Sequence, residues 1–171
     1  ALAAQQPPLP HRAGADDLAV LPYTSGTTGP PKGCMHTHGT VQAANRAAVA
    51  WRSQTADAVF LGIAPLFHAL GMQNGMHLPL MLGASIVMLP RWDRDAALAL
   101  IERHRVTSWA APPAMLIDFF ANPAVTPEKV ESLALVHGGS AAMPHAVAEA
   151  MKTRFGITYN EGYGMTETAS F

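Results

Sequence analysis

Three short segments gather residue types suited to holding an anion. The first, TSGTTGPPKG over Thr24 to Gly33, sets four hydroxyls, three glycines and one ammonium within ten residues. Glycines such as Gly26 and Gly29 let a backbone approach an oxyanion closely, and successive amides then form a nest. Thr24, Ser25, Thr27 and Thr28 add hydroxyl donors, and Lys32 adds a compact charge suited to phosphate. A polyphosphate fits that chemistry. The order is not that of a Walker loop, because Gly33 follows the lysine and the next residues read as a strand rather than a helix. A flexible hairpin with an ordinary surface lysine is the competing reading.

The second segment is HGGS, His137 to Ser140, and the third is EGYGMTE, Glu161 to Glu167. Glu167 offers the hard oxygen that Mg²⁺ prefers, and beside a triphosphate it would hold that metal. As an isolated residue it reads as a surface glutamate. Tyr163 carries a flat face that either meets a ring or belongs to the core. Gly138-Gly139 also suits a plain strand-to-helix turn. His68 can pair with a carboxylate or be a satisfied core histidine. His36 and His38 would share a strand face, but no third ligand stands at zinc spacing. Cys34 reads as a small buried hydrophobe, and the methionines mostly as core.

The surrounding pattern alternates short apolar strands with helical stretches, an α/β signature. Strands are expected at Leu18 to Thr24, Cys34 to His38, Ala58 to Ala64, Ala84 to Leu89, in VTSWA, at Leu133 to His137, and in ITYN. Helices are expected over Gly39 to Arg52 and Gly71 to Leu82, after the cap Asp93, and from Pro112-Pro113 to about Ala121. A last helix runs from Pro144 to its stop at Gly156. The expected fold is a central mixed or mostly parallel sheet flanked by helices. Each chemical segment follows a strand, and open sheets bind ligands beyond the carboxyl ends of strands. Three loops on one edge would converge on one ligand.

The 171 residues suit one domain or a piece of a larger one. Hydrophobic residues make up 49%, enough for a core, and the formal charge of −1 provides no basic field for nucleic acid. The longest apolar run, Leu78 to Pro90, falls short of the roughly 20 residues a transmembrane helix takes. One cysteine excludes an intrachain disulfide and fits a reducing, cytoplasmic setting. Residues 1–17 read as a Pro-rich linker or truncated lead-in, and residues 18–171 as the folded part.

The order of residues in YTSGTTGPPKG resembles the phosphate loop of the adenylate-forming superfamily, which holds acyl-CoA synthetases, luciferases and peptide-synthetase adenylation domains. PLFHALGM (Pro65 to Met72), HGGSAAMP (His137 to Pro144) and YGMTETAS (Tyr163 to Ser170) resemble its later motifs, in the family's order. Met165 and PLFH favour the acyl-CoA synthetase branch. The resemblance implies ATP, Mg²⁺ and coenzyme A, and a small carboxylic acid, fatty or otherwise apolar, as substrate. It implies that Gly138, Gly139 and Ser140 line adenine, that Tyr163 stacks on it, and that Gly164 permits the turn. Thr166 would bond a phosphate oxygen, Glu167 would hold the metal with Thr24 as partner, and His68 would border the acid. Family members also carry a ribose-binding aspartate and a mobile C-terminal domain with a further lysine. The chain is therefore expected to be the central part of the large AMP-binding domain, without adenylation activity by itself. Exposed apolar edges would favour homo-oligomers. The alternative is a non-catalytic module that binds a nucleotide or a partner protein.

Overall fold

The computed structural model describes residues 12–25 and 29–169. Its centre is a five-stranded, wholly parallel sheet built from β5 (Val59–Gly62), β6 (Ser85–Met88), β7 (Ser108–Ala110), β8 (Leu135–Gly138) and β9 (Tyr159–Glu161). The spatial order is β6-β5-β7-β8-β9. The chain first steps from β5 to β6, then jumps back across β5 to β7. That reversal marks the crevice where open α/β sheets take ligands. Because all five strands run the same way, the loops after β5, β8 and β9 leave from one edge.

Helical crossovers join these strands. Between β5 and β6 lie α2 (Ala69–Met72), a π-helical turn over Gln73–His77, and α3 (Leu78–Leu82). The expected helix over Gly71 to Leu82 thus starts two residues earlier and widens at its centre. α4 (Arg94–His104) follows β6, and Asp93 caps it by accepting from the amides of Asp95 and Ala96. α5 (Pro113–Phe120) follows β7. α6 (His145–Phe155) follows β8 and ends at Gly156, whose φ of 71° is the left-handed geometry that glycine accepts most readily.

The core lies between this sheet and α4, α5 and α6. Trp109 and Phe119 pack edge to face with centroids 5.1 Å apart, and both are fully buried. Ala97, Leu98 and Ile101 of α4 turn inward as their spacing requires. Burying each large side chain stabilises the fold by roughly 1.5–3 kcal/mol.

The amino-terminal part is built differently. The single strand expected over Leu18 to Thr24 is two, β1 (Leu18–Val20) and β2 (Tyr23–Thr24), broken at Leu21-Pro22. Proline supplies no amide to a ladder, so the chain changes partner there. β1 pairs antiparallel with β4 (His36–Thr37), and β2 pairs with β3 (Lys32–Gly33). The strand expected from Cys34 to His38 shrinks to β4, because Thr37 caps α1 (His38–Arg52) by accepting from the Thr40 amide at 3.2 Å. His38 opens that helix, so it shares no strand face with His36. The carbonyls of Ala15 and Asp17 accept from Gly39 and His38, which ties residues 15–17 to the start of α1.

Candidate active site

Three segments meet around a cavity of about 250 Å³: His68 to Leu70 after β5, Gly139-Ser140 after β8, and Gly164 to Glu167 after β9. A second recess shares Ser140 and Gly164 with the first and runs between Ser140–Ala142 and Glu161–Gly164. Backbone geometry fixes this meeting. A Cβ on Gly138 would overlap the Ala111 carbonyl, and one on Gly139 would overlap the carbonyl of Gly162. The Gly162 amide donates to the Gly138 carbonyl at 2.8 Å, so the loops after β8 and β9 leave as a stitched pair. Ser140 follows at φ 71°, a left-handed conformation that costs a non-glycine residue roughly 1 kcal/mol or more.

On the third loop, Thr166–Thr168 form one turn of 3₁₀ helix. Thr168 holds it locally, its hydroxyl accepting from the Met165 amide at 3.1 Å and donating to the Met165 carbonyl at 2.9 Å. Glu167 is exposed on the cavity rim. Tyr163 stands 85% exposed in the second recess, so its ring is not a core aromatic. His68 is also exposed, and its Nδ1 accepts from the Leu70 amide at 3.2 Å, which caps α2. That bond fixes the proton on Nε2.

The phosphate-type segment does not follow a strand of the main sheet. Its two ends belong to the separate β2–β3 ribbon, in which Lys32 pairs with Thr24. The Thr24 hydroxyl donates to the Lys32 carbonyl at 3.5 Å, and no bond joins it to Glu167 among the described residues. Thr24, Ser25, Gly29 and Lys32 sit on this ribbon outside the lining of both recesses, while Gly26, Thr27 and Thr28 lie outside the described residues. The expectation of three loops leaving one sheet edge therefore holds for the segments after β8 and β9 but not for this one.

The ribbon is nonetheless tied to the cavity. Just beyond it, His36 donates from Nε2 to the Thr166 carbonyl at 2.7 Å. Cys34 lies near enough to Glu167 to feel its charge: partial burial first, and that carboxylate second, push the thiol pKa up. So the residues following Lys32 dock on the turn that carries Glu167.

Behind the edge, burial and then the positive charge of Arg52 push the His137 pKa down to about 3. Its imidazole is neutral near pH 7. Burial, and then Glu161, push Tyr159 up to about 12.

Among the described residues, no group of three or more His, Cys, Asp or Glu could hold a metal alone. Magnesium commonly takes one or two carboxylates, with waters and substrate phosphates completing its shell. The exposed Glu167 carboxylate fits that pattern.

Sequence reasoning missed Gln73, and weighed His36 only as a zinc ligand. Gln73 is buried and donates from Nε2 to the Ala169 carbonyl at 2.9 Å. Its one signal is a pair of amides, Gln73-Asn74, inside an apolar stretch.

The family model described as AMP-binding enzyme matches residues 1–171. The chain is 34% identical over 155 residues to a long-chain-fatty-acid–CoA ligase of Bacillus subtilis, covering 90% of this chain and 28% of that protein. It is 34% identical over 157 residues to 4-coumarate–CoA ligase 1 of rice, Oryza sativa subsp. japonica, covering 89% and 28%. The ATP-bound crystal structure of MatB from Rhodopseudomonas palustris superposes with a TM-score of 0.84 at 32% identity, over 92% of this chain and 31% of that one. The chain thus spans less than a third of the length of these relatives.

Proposed function

The chain belongs to the family of AMP-binding enzymes, and from that membership we propose that it supplies the nucleotide and acid site of an acid–thiol ligase. In that reaction a carboxylate attacks the α-phosphorus of ATP. Acyl-adenylate forms, pyrophosphate leaves, and a thiol, coenzyme A, then displaces AMP as the acyl group forms a thioester. The observation that carries this reading is one cavity walled by His68, Gly139-Ser140 and Thr166-Glu167, with His36, which follows the Lys32 ribbon, bonded to the Thr166 carbonyl.

The physical problem is that two anions must meet in line. Positioning and charge cancellation dominate such a step. The ribbon amides, its hydroxyls and Lys32 hold the β- and γ-phosphates. Gly138, Gly139 and Ser140 present backbone to adenine, and Tyr163 covers the ring from the second recess. Thr166 donates to a phosphate oxygen. Glu167 would hold Mg²⁺, which when bound would supply charge neutralisation for pyrophosphate. His68, with Nε2–H free to donate, borders the carboxylate. Ala69, Leu70 and the apolar turn behind them favour a fatty or other apolar acid.

Titration of Mg-ATP into the chain, followed by calorimetry, tests the binding half. Saturable binding that weakens in Lys32→Ala and Glu167→Ala is expected, and no binding by the unmutated chain would overturn the reading. Because the segment spans under a third of its relatives, we expect ATP–pyrophosphate exchange by it alone to stay at background. In the protein carrying the whole ligase, a panel of fatty, aryl and short acids would identify the substrate class by kcat/KM. Exposed Phe67, Trp51 and Leu80 favour self-association of the isolated chain, which sedimentation would detect.

No helix among the described residues is long and apolar enough to cross a membrane.

A further inference from the structure

The turn that carries Glu167 has little packing of its own. Glu167 and Thr168 are exposed, and the turn's internal bonds are short-range: Thr168 N–H to the Met165 carbonyl at 3.1 Å, and Ala169 N–H to the Thr166 carbonyl at 3.2 Å. One turn of 3₁₀ helix is marginal by itself. Yet two buried side chains from distant parts of the chain grip its backbone on either side of Glu167. His36 donates to the Thr166 carbonyl at 2.7 Å, one residue before. Gln73 donates to the Ala169 carbonyl at 2.9 Å, two residues after.

Gln73 is held in the required orientation. Gln73 Oε1 pairs with His77 Nδ1 at 2.9 Å, which leaves the amide nitrogen facing Ala169. His77 is part-buried, and burial pushes its pKa down, so the neutral ring with its proton on Nδ1 makes that bond. Gln73 also opens the π-helical turn that continues the helix capped by His68. π turns inside α-helices recur at functional sites.

We propose that Gln73 and His36 are positioning residues that aim Glu167 into the cavity, coupling its metal-binding wall to the acid wall and to the phosphate ribbon respectively. The proposal rests on the nucleotide reading given above. Neither side chain touches the ligand. Each fixes a carbonyl that flanks the carboxylate, so loss of either lets Glu167 sample orientations that cannot meet the metal and the phosphates together.

The test compares the 171-residue chain with its Gln73→Met and His36→Leu variants. Mn²⁺ replaces Mg²⁺ as a probe read by water-proton relaxation, and ATP affinity is measured with and without metal. Each variant is expected to weaken Mn²⁺ in the ATP complex about three- to tenfold, the scale of one buried hydrogen bond. Metal-free ATP affinity is expected to change less than twofold. Hydrogen exchange at the Thr168 and Ala169 amides should accelerate while the β8 amides stay as slow as before. A merely structural role would weaken metal-free and metal-dependent binding together, and that outcome overturns the proposal. Unchanged exchange at Thr168 and Ala169 overturns it too, whatever the binding data. If the unmutated chain binds no ATP, the nucleotide reading falls and takes the aiming role with it, even where accelerated exchange shows the two ties to be real.

Discussion

The parallel sheet and the amino-terminal ribbons achieve their shapes by opposite means. β5–β9 are held by a continuous apolar core, with Trp109, Phe119, Ile101 and Val136 all sealed from water. The ribbons β1–β4 are two or three residues per strand, exposed or half-buried except at His36, and share one firm polar bond with the site through that residue. A packed sheet edge can place backbone atoms closely, as the Gly138 and Gly139 overlaps require. A two-stranded ribbon is marginally stable by itself and must be anchored from outside. The lesson is a division of labour. On the proposed reading, the sheet edge would supply a packed wall and the ribbon the charge of Lys32.

That comparison can be broken most directly in the core. Phe119→Ala removes a ring buried between Trp109 and Phe120 and should cost about 3–5 kcal/mol, read by denaturant unfolding. A cost near that of a surface change would mean the sheet is not the rigid partner. In the ribbon, Lys32→Ala should leave the unfolding midpoint in place, because the side chain is exposed and makes no ion pair among the described residues. It should weaken Mg-ATP about tenfold or more, since a hydrogen bond to a charged group is worth roughly 1.5–3 kcal/mol. Loss of stability without loss of binding would reverse the assignment of roles.

A pH series sharpens the same contrast. His137 is neutral in the fold with a pKa of about 3, against roughly 6.5 in the unfolded chain. The unfolded state therefore binds more protons between those values. Stability present above about pH 6.5 should fall as pH drops toward 3, and His137→Gln should flatten that slope. The smallest effect concerns the junction of the two regions. Glu167→Gln removes the charge that helps raise the Cys34 pKa, so alkylation of Cys34 by iodoacetamide at neutral pH should quicken modestly. An unchanged rate would place the ribbon's exit farther from the Glu167 turn than the structure has it.

Much of this was legible in the order of residues. Asp93, Pro113 and Gly156 mark helix ends by local chemistry, and the structure uses each at or beside a terminus. The segments after β8 and β9 could be read together because each follows a strand and their order resembles the family's motifs, and the structure brings them to one cavity. The break at Pro22, the shift of His38 into α1, and the π turn at Gln73 could not. Each depends on a competition between a local preference and a neighbour remote in sequence. His36 shows the limit plainly. Its sequence neighbours raise only a zinc reading that fails for want of a third ligand, whereas its partner is a carbonyl 130 residues away.

The sequence by itself determined the alternation of strands and helices, the helix caps, and which functional groups are available to a site. Those depend on periodicity, backbone sterics and functional groups, all of which act over a few residues. Tertiary structure alone decided that the strands lie in the order β6-β5-β7-β8-β9, that the ribbon stands apart from that sheet, and that His36 and Gln73 flank Glu167. Those outcomes come from burying a shared core and pairing buried polar atoms. Both are collective demands, settled only when the whole chain has closed on itself.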